Sequence, residues 1–154
     1  MAVSLKYAVV ERERRFLVRS IPPGDVTRRQ ILDRYVIGTR LRLREVREED
    51  GAVTRKLTQK IRLTNDPSEI ACTNMYLDDA EWRLLQAMPA RVVAKTRHVV
   101  TRDGVTVAVD EWEDGTLLAE IDDGDATPAQ VPEWLDVIED VSSAEQWTGA
   151  ALAR

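Results

Sequence analysis

Val9-Val10-Glu11-Arg12-Glu13-Arg14-Arg15-Phe16-Leu17-Val18 decides how the rest of this chain is read. Successive side chains of a strand point to opposite faces, so Glu11, Glu13 and Arg15 share one of them. Two carboxylates about 7 Å apart beside a cation make a poor core face, because a buried charge is costly unless something pairs with it. The same groups make a good face for a metal and a phosphate. Hard divalent cations take carboxylate oxygens, and guanidinium takes phosphate oxygens. The pattern gains weight because the neighbouring stretches repeat it.

Pro22-Pro23-Gly24-Asp25 signals a turn, and Ile31 to Ile37 reads as a short apolar strand. Arg40-Leu41-Arg42-Leu43-Arg44 alternates strictly, with arginines on one face and leucines on the other. Beyond the turn at Glu48 to Gly51, Thr54 to Leu63 sets Lys56, Thr58, Lys60 and Arg62 together. A strand is expected from Ile70 to Leu77. Asp78 and Glu81 then form a capping-box signature for a helix over Asp79 to Met88, closed by Pro89. Val92 to Thr101 carries Lys95 and Arg97 on one face. Arg102-Asp103-Gly104 is the strongest hairpin signal, and the returning strand, Val105 to Glu113, holds Asp110 in phase with Ala108 and Trp112. Leu117 to Asp122 places Glu120 and Asp122 together. A proline-bounded loop, a helical turn near Trp134, a strand around Val137 to Val141 and a helix from about Ser143 follow.

Seven or eight strands with hairpin-length connections imply an antiparallel sheet. An open sheet would show its charged face to water, whereas eight strands closed into a barrel enclose room for one small ligand. The alternation alone does not choose between them. With 154 residues, one domain spanning 1–154 is expected. The net charge of −5 argues against a nucleic-acid partner. One cysteine excludes a disulfide framework and suits a reducing compartment. No apolar leader or membrane-length run stands out, so the expectation is a cytoplasmic protein without a membrane partner.

The acidic set is Glu11, Glu13, Asp110, Glu120 and Asp122; the basic set is Arg15, Arg42, Arg44, Lys56, Lys60, Lys95 and Arg97. Each strand alone could be a solvated outer face. Jointly that reading weakens, because the opposite faces need cover and only about two helices are available. A barrel lined with mutual salt bridges is the other bland reading. Like charges about 6 Å apart repel by roughly 3 kcal/mol at an effective dielectric near 20. Three inward basic strands therefore call for an anion, and the acids for a cation; a metal–polyphosphate complex supplies both.

The chain resembles the CYTH superfamily, the triphosphate tunnel metalloenzymes, along almost its whole length. Glu11, Glu13 and Arg15 stand where that family has an ExExK opening, with Arg in place of Lys. Arg42 and Arg44 match its Leu-Arg-Leu-Arg strand, Lys60 its tunnel lysine, and Lys95 and Arg97 its Lys-x-Arg strand. Asp110 matches its acidic strand residue, and Glu120 and Asp122 its closing pair of acids. The resemblance implies an α+β fold, an eight-stranded antiparallel β-barrel (tunnel) with a few flanking helices. It implies Mg²⁺ or Mn²⁺ on Glu11, Glu13, Asp110, Glu120 and Asp122. Arg42, Arg44, Lys56, Lys60, Lys95 and Arg97 would grip a triphosphate or short polyphosphate, with Arg15, Lys60 and Lys95 catalytic. The implied activity is hydrolysis of inorganic or nucleoside triphosphate. A catalytically weak or inactive polyphosphate- or nucleotide-binding module of the same fold and an adenylate cyclase are the alternatives, and a homodimer is left open. Cys72-Thr73-Asn74 replaces glutamates common in the family, the last helix lacks its basic residues, and the exchange at Arg15 is not conservative. Cys72 and the four tryptophans read as packing residues, His98 as a packed or solvent-facing imidazole, and Asp123-Gly124-Asp125 as a turn.

Overall fold

The opening stretch is a strand with the bounds its alternation gives, β1 at Val9–Val18, in a computed structural model that describes residues 4–154. It is followed by β2 (Asp25–Val36), β3 (Leu41–Glu48), β4 (Val53–Arg62) and β5 (Glu69–Tyr76). Helix α1 (Asp79–Leu85) leads to β6 (Ala90–Arg102), β7 (Val105–Glu111), β8 (Leu117–Asp122) and β9 (Val137–Asp140). A 3-10 turn (Glu145–Trp147) and α2 (Gly149–Leu152) end the described chain. Every pairing is antiparallel, in the order β5-β4-β3-β2-β6-β7-β8-β1, and β1 pairs back to β5. Eight strands thus close into a barrel, as expected, with β9 as an additional strand.

β1 makes the closure possible by serving three partners. Val9 to Arg12 pair with β5, Glu13 to Leu17 with β8, and Phe16 to Val18 with β9. The opposed residues put Glu13 across from Asp122 and Arg15 across from Glu120, so the charged faces all turn inward. Asp103 and Gly104 both take positive φ, 53° and 76°, as a two-residue hairpin turn of the right twist requires.

Three expectations about element bounds need correction. β2 starts at Asp25, not Ile31, because β6 offers an unbroken ladder from Asp25–Thr101 to Val36–Ala90 that carries the polar residues along. α1 has the capping box of Asp78 and Glu81 but stops at Leu85. The helix expected from Ser143 is a 3-10 turn and a four-residue helix, separated by Thr148 in an extended conformation that caps the second piece.

The main apolar cluster lies on the outside of the barrel wall. Phe16, Val18, Val100, Val107, Val109 and Ile121 pack with Leu135, and Val131 and Trp134 rest on them. A loop, rather than a helix, therefore covers the outer face of β1, β6, β7 and β8. The outward arginines of β1 fasten it. Arg14 binds Asp123 at 2.7 Å and the Ala129 carbonyl at 2.8 Å, and Arg12 donates to the Gly124 carbonyl at 2.9 Å. Asp123-Gly124-Asp125 is thus a structural turn. Among the described residues no helix is long and apolar enough to cross a membrane.

Candidate functional site

Closure of the barrel gathers the charged faces around one cavity of about 360 Å³. Glu11, Glu13 and Arg15 line it from β1, Arg42 and Arg44 from β3, and Lys56 and Lys60 from β4. Lys95 and Arg97 line it from β6, and Glu120 and Asp122 from β8. Asp110 lies in the same wall, fully buried, with Lys95 and Arg97 both on its carboxylate. All the residues of the acidic and basic sets therefore lie in the tunnel wall.

They are not equally free. Arg97 spans Asp110 and Glu120. Arg15, 5% exposed, holds Glu13 through two nitrogens at 2.8 and 3.0 Å. Lys60 stands 3.9 Å from Glu11, which also accepts the Cys72 thiol at 3.1 Å. Cys72 is the small buried residue expected, but it faces the tunnel. His98 is buried on the outer face, its Nε2 2.8 Å from Glu111. Among the described residues Lys56 makes no ion pair.

The sequence reading missed Asp33, placed inside a supposedly apolar strand. It is 1% exposed and takes both forks of Arg44 at 2.6 Å, with Arg42 Nε 3.8 Å away. Ile31, Asp33 and Tyr35 alternate with Leu32, Arg34 and Val36, and a carboxylate at that phase was the available signal. Arg42 also donates to the Thr58 hydroxyl at 3.2 Å, which donates to Asn74 Oδ1 at 2.7 Å. Its buried Nε has no hydrogen-bond acceptor. Buried donors are rarely left so, and an anion oxygen in the tunnel would serve it.

The electrostatics divide the acids into two groups. Burial would raise the Glu13 carboxyl, but Lys60, Arg15, Arg97 and Lys95 hold it at about 2. Burial acts likewise on Asp33 and Asp110 and is outweighed by Arg44 on the first, and by Lys95 and Arg97 on the second, so both lie well below the usual range. Glu120 and Asp122 go the other way. Burial raises both, Glu13 adds to it at Glu120, and Glu11 and Glu13 add to it at Asp122. On the basic side, burial and then Arg42 and Arg44 bring Lys56 down to about 8, and burial and then Arg42 lower Lys60. Each wall is crowded with its own charge.

A solved structure of the inorganic triphosphatase NE1496 superposes with a TM-score of 0.57 and 22% identity, covering 93% of each chain. The chain has the triphosphate-tunnel fold. A second structure, of the hypothetical protein NE1496, gives a TM-score of 0.58 at 20% identity, over 93% of this chain and 96% of that one. The PH1012 protein of Pyrococcus horikoshii OT3 gives 0.52 at 15% identity, over 78% and 80%. No family model and no curated protein matches the sequence.

The donor chemistry of the tunnel suits Mg²⁺ or Mn²⁺: Glu11, Glu13, Glu120 and Asp122 supply hard oxygens, and burial, then the neighbouring carboxylates, raises the pKa of Glu120 and Asp122. Their spacing is another matter. Among the described residues no three such groups converge closely enough to hold a metal. Arg15 and Arg97 draw Glu13 and Glu120 aside.

Proposed function

We propose that residues 1–154 form a single tunnel domain that hydrolyses a phosphoanhydride bond of inorganic or nucleoside triphosphate with Mg²⁺ or Mn²⁺. The observation that carries it is the tunnel's unsatisfied basic wall: Lys56, without an ion partner among the described residues, and Arg42, whose buried Nε has no hydrogen-bond acceptor. The triphosphatase of the same fold supports it. Arg42, Arg44, Lys56, Lys60, Lys95 and Arg97 would bind the phosphate chain and stabilise charge developing on it. Glu11, Glu13, Glu120 and Asp122 would hold the metal only once Arg15 and Arg97 release Glu13 and Glu120 and the carboxylates draw together; the metal would then neutralise phosphate charge and lower the pKa of an attacking water. Asp110 joins that set only if its pairs with Lys95 and Arg97 open; closed, it positions them. Arg15, paired with Glu13 and opposite Glu120 in the β1–β8 register, would lie at the boundary of metal and phosphate. The residues would act in the cytoplasm on a small anion, with no nucleic acid or membrane engaged.

A second reading, a polyphosphate-binding module with little turnover, is favoured by the tight Arg15–Glu13 pair, which a metal would have to displace. Phosphate release from tripolyphosphate with Mg²⁺ or Mn²⁺, measured beside calorimetric binding of the same anion, separates the two. Glu13→Gln should abolish metal-dependent release while the chain stays folded. Binding without release in the unmodified chain would establish the module, and failure to bind would dismiss both.

A further inference from the structure

Between the two inward lysines of β4 the tunnel wall carries a polar row to which the charges alone give no role. Arg42, Thr58 and Asn74 are opposed across β3, β4 and β5, Arg42 facing Thr58 and Thr58 facing Asn74. On β4 the row falls between Lys56 and Lys60, which alternate in phase with Thr58. Thr58 is fully buried, whereas Asn74 lines the cavity and is exposed.

The row has one hydrogen-bond direction. A guanidinium only donates, so the Thr58 hydroxyl accepts from Arg42 Nη2 at 3.2 Å. Its own proton then goes to Asn74 Oδ1, 2.7 Å away. That contact fixes the amide, because only its carbonyl end accepts. Asn74 Nδ2, with two protons to donate, makes no hydrogen bond among the described residues. At the other end of the row Arg42, held by Nη2, keeps its buried Nε without an acceptor, 3.8 Å from Asp33 Oδ1. Two idle donors, one charged and one neutral, therefore stand on either side of Thr58. A carboxylate at position 74 would take the same Thr58 proton, but it would add negative charge beside Arg42 and repel an anion. The amide leaves the basic wall its charge and extends its set of donors.

Resting on the triphosphate reading of the tunnel, we propose that Asn74 is a phosphate-binding residue, its Nδ2 donating to a phosphate oxygen, and that Thr58 is a positioning residue which turns the Arg42 fork so that Nε meets the same anion. The pair adds donors to a wall where Lys56, Lys60, Arg42 and Arg44 already crowd one another.

Calorimetric titration with tripolyphosphate tests this on the full chain and on Thr58→Val, Thr58→Ser, Asn74→Ala and Asn74→Asp, each checked for folding by thermal melting. Valine keeps the shape of Thr58 without its hydroxyl, and serine keeps the hydroxyl without the methyl. Hydrogen bonds to charged groups are worth roughly tenfold or more in affinity. Thr58→Val should bind about tenfold more weakly and Thr58→Ser almost as the unmodified chain does, an order that a packing role would reverse. Asn74→Ala should also lose about tenfold, and Asn74→Asp more. In an Arg42→Lys background Thr58→Val should cost little, because an ammonium has no fork to turn. Unchanged affinity in Thr58→Val or in Asn74→Ala, or equal losses for valine and serine, overturns the inference; binding by the unmodified chain then leaves the tunnel reading standing. No binding of tripolyphosphate by the unmodified chain overturns both. If Thr58→Val does not fold, the two variants of the exposed Asn74 decide.

Discussion

Asp33 and Lys56 show how one tunnel strains its charges in opposite directions. The buried Asp33 carboxylate is held by Arg44 and stays ionised well below its ordinary value of 3.8. Its folded pKa lies below the unfolded one, so its contribution is whole above that value and is lost as pH falls beneath it. Asp33→Asn leaves Arg44 without its partner, and breaking a buried pair in this way costs about 3–5 kcal/mol. Urea unfolding should register a loss of that size at neutral pH and a smaller one in acid. Lys56 is strained oppositely, its folded pKa drawn from 10.5 to about 8 by burial and the neighbouring Arg42 and Arg44. In that window the unfolded chain binds the proton more tightly, so this strain is present below about pH 8 and relieved as pH rises to 10.5. The consequence for binding is direct. Affinity for tripolyphosphate should fall as pH passes 8, and Lys56→Arg, which keeps its charge, should flatten that fall in calorimetric titrations.

At the scale of elements, legibility followed whether a segment's signal was local. β1, with its strict alternation, has the bounds read from it, and so does β8. The Asp103-Gly104 turn and the Asp78–Glu81 cap were legible because a few adjacent residues dictate each. The start of β2 was not, since Thr27, Arg28 and Arg29 are extended only because β6 lies alongside. Asp33 went unread although its phase in the β2 alternation was a local signal, because the partner that gives it a role, Arg44, comes from another strand. The chain's end is the clearest failure. Gly149 lines the tunnel, with the Tyr35 hydroxyl where its Cβ would stand and Cζ only 3.2 Å from that point. Nothing local in the sequence announces that the segment returns to the barrel. Gly149→Ala should therefore destabilise by about 1–3 kcal/mol, the usual cost of overpacking. Removing the hydroxyl with Tyr35→Phe should recover part of that loss, and a double-mutant cycle on thermal midpoints would measure the coupling. Simple additivity of the two changes would show that this contact does not seat the tail.

For the whole molecule, the question is what balances a barrel with charges on its inside and its main apolar cluster on its outside. Asp33, Asp110, Glu13 and Glu120 neutralise Arg44, Lys95, Arg15 and Arg97 in part, and that internal pairing lets the empty barrel fold. Lys56 lies outside those pairs and the Arg42 Nε has no hydrogen-bond acceptor, both on the β3–β4 wall, where burial and then neighbouring cations depress the lysines. An anion long enough to reach that wall and also Lys95 and Arg97 across the cavity relieves repulsion that a short one leaves in place. Tripolyphosphate spans more of this distance than orthophosphate and carries more charge. If it binds only the folded chain, a hundredfold excess over its dissociation constant adds roughly 2.7 kcal/mol of stability by mass action. The thermal midpoint should rise accordingly with tripolyphosphate and far less with orthophosphate at matched ionic strength. In Lys56→Ala, which removes a cation from the β3–β4 wall, the difference between the anions should shrink. Equal shifts from both anions in the unmodified chain would reduce the effect to screening of like charges and remove the case for a phosphate-chain site in the tunnel.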